Sequence, residues 1–121
     1  MLFSRHASFE NHLLQNFSNL LYLVATAQPK MRIRFSTSNP QDMSLDVIHT
    51  MAHHDNICNN IHLPVQSGSN AILKKMNRQH TRQDYFELID KIHKIIPDCG
   101  ISHDMIAGFP TETEQDHKDT L

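Results

Sequence analysis

The residues able to do chemistry fall in three short stretches. Ser36-Thr37-Ser38-Asn39-Pro40 is the first. His62-Leu63-Pro64-Val65-Gln66-Ser67-Gly68-Ser69 is the second, and Gly108-Phe109-Pro110-Thr111-Glu112-Thr113 is the third. Their hydroxyls and amides can donate to and accept from the ribose and amino-acid portions of a nucleotide-like ligand. The backbone over 108–110 can lie flat against a base. Ser, Gly, Asn and Pro also dominate turns for local reasons, so ordinary turn chemistry is the competing reading.

Other candidates are weaker. His49 and His53 stand four apart on a predicted helix, a spacing that suits zinc. A zinc site needs three or four protein ligands, and no third one stands nearby, so a solvated helix face is the favoured reading. His62 opens the second stretch and can either bond a ligand or fix the loop. Cys58 and Cys99 form no CxxC pair and suit buried free thiols. Asp104 lies inside a strand-like run and needs a partner, for which Arg32 and Arg34 are candidates. The chain has no GxGxxG, no GxxxxGK[ST] and no GxSxG.

Periodicity predicts the elements that position these stretches. From Phe17, the residues Leu20, Leu21, Val24 and Ala27 recur at helical spacing, with Asn16 or Ser18 as cap and Pro29 as stop. Residues 31–36 alternate apolar and polar and predict a strand. Ser44 caps a second helix with Val47, Ile48 and Met51 on its apolar face. A second strand is expected over 60–63, stopped by Pro64. A helical turn follows through Ile72 and Met76. Thr81 and Asp84 have capping-box spacing. The helix they open carries Tyr85, Leu88, Ile89, Ile92, Ile95 and Ile96 on one face and ends at Pro97 and Gly100. A third strand is expected over 101–107, and Thr113 to Asp116 cap a last helix.

Strands alternating with helices imply a parallel α/β sheet, with chemistry at the carboxyl ends of the strands. All three polar stretches lie there. Three strands do not close a barrel. The fold expected is therefore α/β, a partial parallel (βα) barrel of about three strands with flanking helices.

Composition narrows the classes. The chain has 121 residues, 39% hydrophobic and 20% charged, which excludes a disordered chain. A formal charge of -2 gives no basic footprint for nucleic acid. No run approaches the ~20 apolar residues of a membrane span. The opening residues lack the pattern of a signal peptide, so a cytoplasmic protein is expected.

Four blocks carry a resemblance. RIRFSTSNP (32–40), NICNNIHLPVQSGSN (56–70), MNRQHTR (76–82) and IIPDCGISHDMIAGFPTETEQD (95–116) resemble successive blocks of the MiaB-type tRNA methylthiotransferases of the radical S-adenosylmethionine (radical SAM) family. The order HLPVQSGS then GFPTETE is the specific part. The resemblance implies a larger enzyme that adds a methylthio group to C2 of N6-isopentenyladenosine beside the tRNA anticodon. It implies S-adenosylmethionine and two [4Fe–4S] clusters as cofactors and tRNA as partner. Relatives that modify threonylcarbamoyl-adenosine or a ribosomal protein are the alternative, and a non-catalytic nucleotide-binding module is another.

The resemblance also implies roles. Gln66 and Ser67 are similar to contacts with the SAM ribose and amino-acid portion. Ile106, Gly108, Phe109 and Pro110 are similar to the motif that packs on the adenine, and Ser36, Thr37 and Ser38 to a cavity-lining strand end. Residues 16–121 would then be a radical SAM barrel domain truncated at both ends, carrying its third to fifth strands, and 1–15 an unassigned lead. A radical SAM cluster is held by cysteine thiolates spaced CxxxCxxC, which Cys58 and Cys99 do not supply. The chain alone is therefore expected to be inactive, with no metal ligands of its own. Asn39 stands where the family usually has His, and His103 where it has Thr or a small residue.

Overall fold

The computed structural model describes residues 16–37 and 39–121. The chain divides into two compact units, one from Met1–Arg34 and Leu45–Cys58, the other from Phe35–Ser44 and Asn59–Leu121.

The first unit is a helix pair with one β-bridge. Helix α1 (Phe17–Ala27) opens on Asn16, whose side chain accepts from the Asn19 amide. Helix α2 (Leu45–His53) buries Val47, Ile48 and Met51, the face expected from their spacing. The buried face of α1 differs from the expected one. Ser18, Leu21 and Ala25 are inside, while Leu20 and Val24 are exposed. The Ser18 hydroxyl shares a hydrogen bond with Thr50 Oγ1 at 2.9 Å, which turns that side of α1 inward. At the end of α1 the Asn56 side-chain amide donates to the Ala25 and Gln28 carbonyls, both at 3.1 Å. Those are carbonyls that a helix terminus leaves without intrahelical partners.

The strand expected over 31–36 shrinks to a single parallel bridge, Ile33 to Ile57. The Ile33 amide donates to the Asn56 carbonyl and its carbonyl accepts from the Cys58 amide. The alternation survives as exposure, with Arg32, Arg34 and Ser36 outside. Among the described residues the run forms one isolated bridge, at Ile33, and the extended backbone does not become a strand.

The second unit holds the sheet. A 3-10 turn (Pro40–Asp42) is followed by β1 (Asn60–His62), α3 (Asn70–Lys75), α4 (Arg82–Ile95), β2 (Gly100–Ser102) and α5 (Glu114–Thr120). β1 and β2 are parallel, with Ile61 opposite Ile101 and His62 opposite Ser102. The intervening α3 and α4 make the crossover that parallel strands require. The capping box expected at α4 is present, with Thr81 and Asp84 bonded in both directions. A second one, Thr113 with Asp116, opens α5. Ile61, Leu63, Val65, Ile72, Leu73 and Ile92 are each at most 4% exposed and form the core. His80 is buried with them, and among the described residues neither of its ring nitrogens has a hydrogen-bond partner.

The third expected strand is shorter than 101–107. After Ser102 the ladder breaks, then resumes as an isolated bridge between Gln66 and Met105. The amides of β1 that give to β2 alternate and Leu63 is one of them, so Val65 is next in turn, but it is the Gln66 amide that gives to the Asp104 carbonyl. The register changes across the gap. His62 faces Ser102, but Gln66 faces Met105, so β1's side holds one residue more. This is a bulge, a device that re-aims side chains where a ladder ends.

Candidate cofactor-binding site

β1 ends in the second polar stretch, and the run after β2 reaches the third by way of the Gln66–Met105 bridge. The bulge positions Gln66. Its amide donates to the Asp104 carbonyl at 3.0 Å and its carbonyl accepts from Ile106 at 2.8 Å. Gln66 is half-buried and has a φ of 70°. A non-glycine residue there stores about 1–3 kcal/mol of strain, a cost that clusters at ligand sites. The two loops are thus joined through the backbone of one strained residue.

Ser67 sits differently. It is fully buried, with its hydroxyl 3.2 Å from Thr120 Oγ1 and accepting from the Ser69 amide at 3.1 Å. The Thr120 hydroxyl also accepts from the Gly68 amide at 3.0 Å. Ser69 Oγ donates to Asp116 Oδ1 at 2.5 Å. Three consecutive residues of the loop are therefore fastened to α5. Hydrogen bonds from Ser69 and Thr113 hold the Asp116 carboxyl down at about 2. Arg82 adds a guanidinium bond to the Asp119 carbonyl and lies over the Phe86 ring.

The third stretch is open. Ile106 is 42% exposed, and Phe109 is half-buried beside exposed Pro110. Gly108 has a φ of 78°, and a Cβ built there would meet nothing within 4 Å. Glycine is favoured here by the left-handed backbone, not by crowding. Its amide is held by Glu112 Oε2. The result is a flat backbone edge beside an exposed apolar side chain.

In the first stretch the Thr37 hydroxyl donates to the His62 carbonyl at 2.8 Å, so it ties this segment to β1. Ser36 is exposed. Ser38 lies outside the described residues.

Asp104 takes His62 as its partner. His62 Nε2 is 3.3 Å from Asp104 Oδ2, and Nδ1 is 3.0 Å from Ser102 Oγ. His49 and His53 are both exposed on α2. Among the described residues no group of three His, Cys, Asp or Glu side chains is placed to hold a metal ion.

Sequence reasoning named Gln66, Ser67, Gly108 and their neighbours but missed the loop-to-helix fastening. Thr113 and Asp116 were legible as a cap. Nothing in the order of residues showed that Asp116 and Thr120 reach back across some fifty positions to Ser69 and Ser67.

Comparison with known proteins bears on what these loops hold. A family model described as the Radical SAM superfamily matches residues 9–121. The chain belongs to the radical SAM superfamily. A tRNA-2-methylthio-N(6)-dimethylallyladenosine synthase of Christiangramia forsetii is 76% identical over 106 residues, 88% of this chain and 22% of that protein. A synthase of the same name from Flavobacterium psychrophilum is 61% identical over 119 residues, 98% of this chain and 25% of that protein. This radical SAM chain thus spans about a quarter of the length of the curated relatives it matches.

Radical SAM enzymes of this kind use S-adenosylmethionine and [4Fe–4S] clusters. The residues present fit the first. Gly108 offers an uncrowded backbone edge and Ile106 an exposed apolar contact, which suit a purine. Gln66 presents a half-buried amide next to them. They do not fit the second, because Cys58 and Cys99 are the only cysteines and lack cluster spacing. Among the described residues no helix is long and apolar enough to cross a membrane.

Proposed function

We propose that this segment is the S-adenosylmethionine-binding part of a tRNA methylthiotransferase, the third to fifth strands of its radical SAM barrel. The reading includes residues 16–121 as part of one barrel domain that continues beyond both ends. The target of the whole enzyme is C2 of N6-isopentenyladenosine in tRNA, in the cytoplasm. The observation that carries the reading is 76% identity, across 88% of the chain, to a synthase named for that modification. The strand-end geometry supports it, since the conserved chemistry of parallel α/β folds sits where Gln66 and Gly108 lie.

The cofactors, when bound, supply the radical and the methylthio group. The residues of this chain bind and orient. Gln66 offers its amide to the ribose and amino-acid portion. Ser67 acts from beneath, holding the loop to α5 through Thr120. Ile106, Gly108, Phe109 and Pro110 form the surface against which the adenine packs. Ser36 lines the same cavity. Thr37 fixes that segment through the His62 carbonyl. These residues on their own carry no cluster and do not turn over tRNA.

The test is S-adenosylmethionine binding by the intact protein that contains these residues, by isothermal titration. Gln66→Ala is expected to weaken binding about tenfold, the loss of one or two buried hydrogen bonds. Methylthiolated adenosine in tRNA, measured by mass spectrometry, is expected to fall with it. Unchanged affinity would remove Gln66 from the pocket. Tight S-adenosylmethionine binding with no methylthio product on tRNA would sink the assignment of substrate.

A further inference from the structure

The two faces of the β1–β2 ladder differ in kind. One carries Ile61, Leu63 and Val65, all buried. The other carries His62 and Ser102, paired directly across the ladder, and Asp104 two residues on. Their contacts fix the protons. A carboxylate only accepts, so His62 Nε2 bears the hydrogen it gives to Asp104 Oδ2. In the neutral ring Nδ1 is then an acceptor, and the Ser102 hydroxyl donates to it. The imidazole is fully committed, and its backbone is tied by Thr37.

What remains unused points outward. Asp104 spends Oδ2 on His62 and keeps Oδ1, and its side chain is 73% exposed. The Asp104 carbonyl bonds the Gln66 amide, so this carboxylate is one residue contact away from the strained loop. Glu112 is the other acid of these loops. Its Oε2 is turned back to the Gly108 amide and its Oε1 is buried. Across residues 60–69 and 100–108, Asp104 is the single Asp, Glu, Lys or Arg. Those two runs therefore carry one fixed charge, negative, with its orientation set by a histidine, while Glu112 and the Lys75 ammonium are bonded to Gly108 and Thr111 on the loop that follows.

We propose that Asp104 is a charge-recognition residue for the sulfonium of S-adenosylmethionine, and that His62 is its positioning residue. The inference rests on the pocket reading above. A sulfonium is a cation without a hydrogen to donate, so a nearby opposite charge distinguishes it from a neutral thioether where a hydrogen-bond acceptor for an N–H would not. A carboxylate held by an imidazole, with one oxygen free, supplies that charge at low cost in side-chain ordering. The same site gives no advantage to S-adenosylhomocysteine, which has an identical nucleoside and amino acid but a neutral thioether.

The experiment compares affinities for these two ligands by isothermal titration, in the intact protein with its cluster assembled. The native protein is expected to favour S-adenosylmethionine. Asp104→Asn is expected to weaken S-adenosylmethionine about tenfold or more, the effect of an opposite charge close by, while S-adenosylhomocysteine changes less than about twofold. Asp104→Ser, which keeps a hydroxyl for His62, is expected to behave alike and guards against a misfolded asparagine variant. His62→Gln is expected to fall between, with discrimination reduced and S-adenosylhomocysteine binding kept. A fall in both affinities by the same factor in both Asp104 variants would overturn this inference and leave the pocket reading standing. A native protein that binds neither ligand would overturn the pocket reading and this inference with it.

Discussion

Gly68 lies so close to Asp119 that a Cβ on the glycine would fall 2.1 Å from the Asp119 carbonyl oxygen and 2.8 Å from the Thr120 Cα. Both are backbone atoms of the α5 segment, which cannot swing aside as a side-chain tip can. The close approach is what lets the Gly68 amide reach Thr120 Oγ1. Gly68→Ala is therefore expected to force the loop off α5, at a cost of about 1–3 kcal/mol or more, as for other overpacked sites. Urea unfolding measures it. The same variant is expected to lose S-adenosylmethionine affinity, because Gln66 rides on the loop being displaced.

Asp116 makes the fastening sensitive to acid. The Ser69 hydroxyl, then the Thr113 hydroxyl and amide, stabilise its charged form and hold its carboxyl at about 2, against an ordinary 3.8. The folded state thus binds this proton less readily than the unfolded one. The stabilisation is complete above about pH 4 and is lost as pH falls through about 2. Asp116→Asn is expected to flatten that part of the acid-unfolding curve, followed by circular dichroism. An unchanged curve would show that the Ser69 contact contributes nothing to folding.

Much of this architecture was written locally and little of it at a distance. The helices were legible because their signals are short-range: Thr81 and Asp84 are three residues apart, and Ile92 and Tyr85 share a face by spacing alone. The strands were less so. Residues 31–36 alternate as a strand should, yet pairing depends on a neighbour that alternation does not name, and among the described residues it yields a single bridge at Ile33. Pro64 follows closely on the end of β1, as its type predicts. The register shift beyond it, which puts Gln66 at a left-handed backbone position, depends on the paired run over 102–105. The sequence shows that Asp104 needs a partner and offers Arg32 and Arg34, whereas the partner it has is a histidine on the paired strand. Charge suggested the arginines, while register decided for His62.

The α4 cap offers a separate measure of local stability. Thr81 accepts from the Asp84 amide at 3.2 Å and the Asp84 carboxylate accepts back from the Thr81 amide at 2.8 Å. Thr81→Ala removes one side of this exchange, and a loss of about 1 kcal/mol is expected from urea unfolding. Thr81→Ser keeps the hydroxyl and is expected to retain most of it. α4 supplies Ile92 to the core of the sheet unit, so the loss should appear in the main unfolding transition rather than as fraying alone.

His80 sets the response to mild acid. It is 3% exposed and borders a cleft with Pro40, Gln41, Met43, Asp84 and Leu88. Burial is the main reason its imidazole is held below the ordinary 6.5, and the Arg78 charge pushes the same way, against smaller opposing effects of the Val65 backbone and Asp84. The ring is therefore neutral in the fold, and a chain that unfolds gains a proton there. The stability due to His80 is present above about pH 6.5 and declines as pH falls below it, toward the lower value of the folded state. The urea midpoint is expected to drop between pH 7 and pH 5, and His80→Leu to reduce that drop. The nine other histidines are common to both proteins, so the difference between the two curves isolates this one. Parallel curves would mean that His80 takes its proton inside the fold, which requires the cleft beside it to admit water.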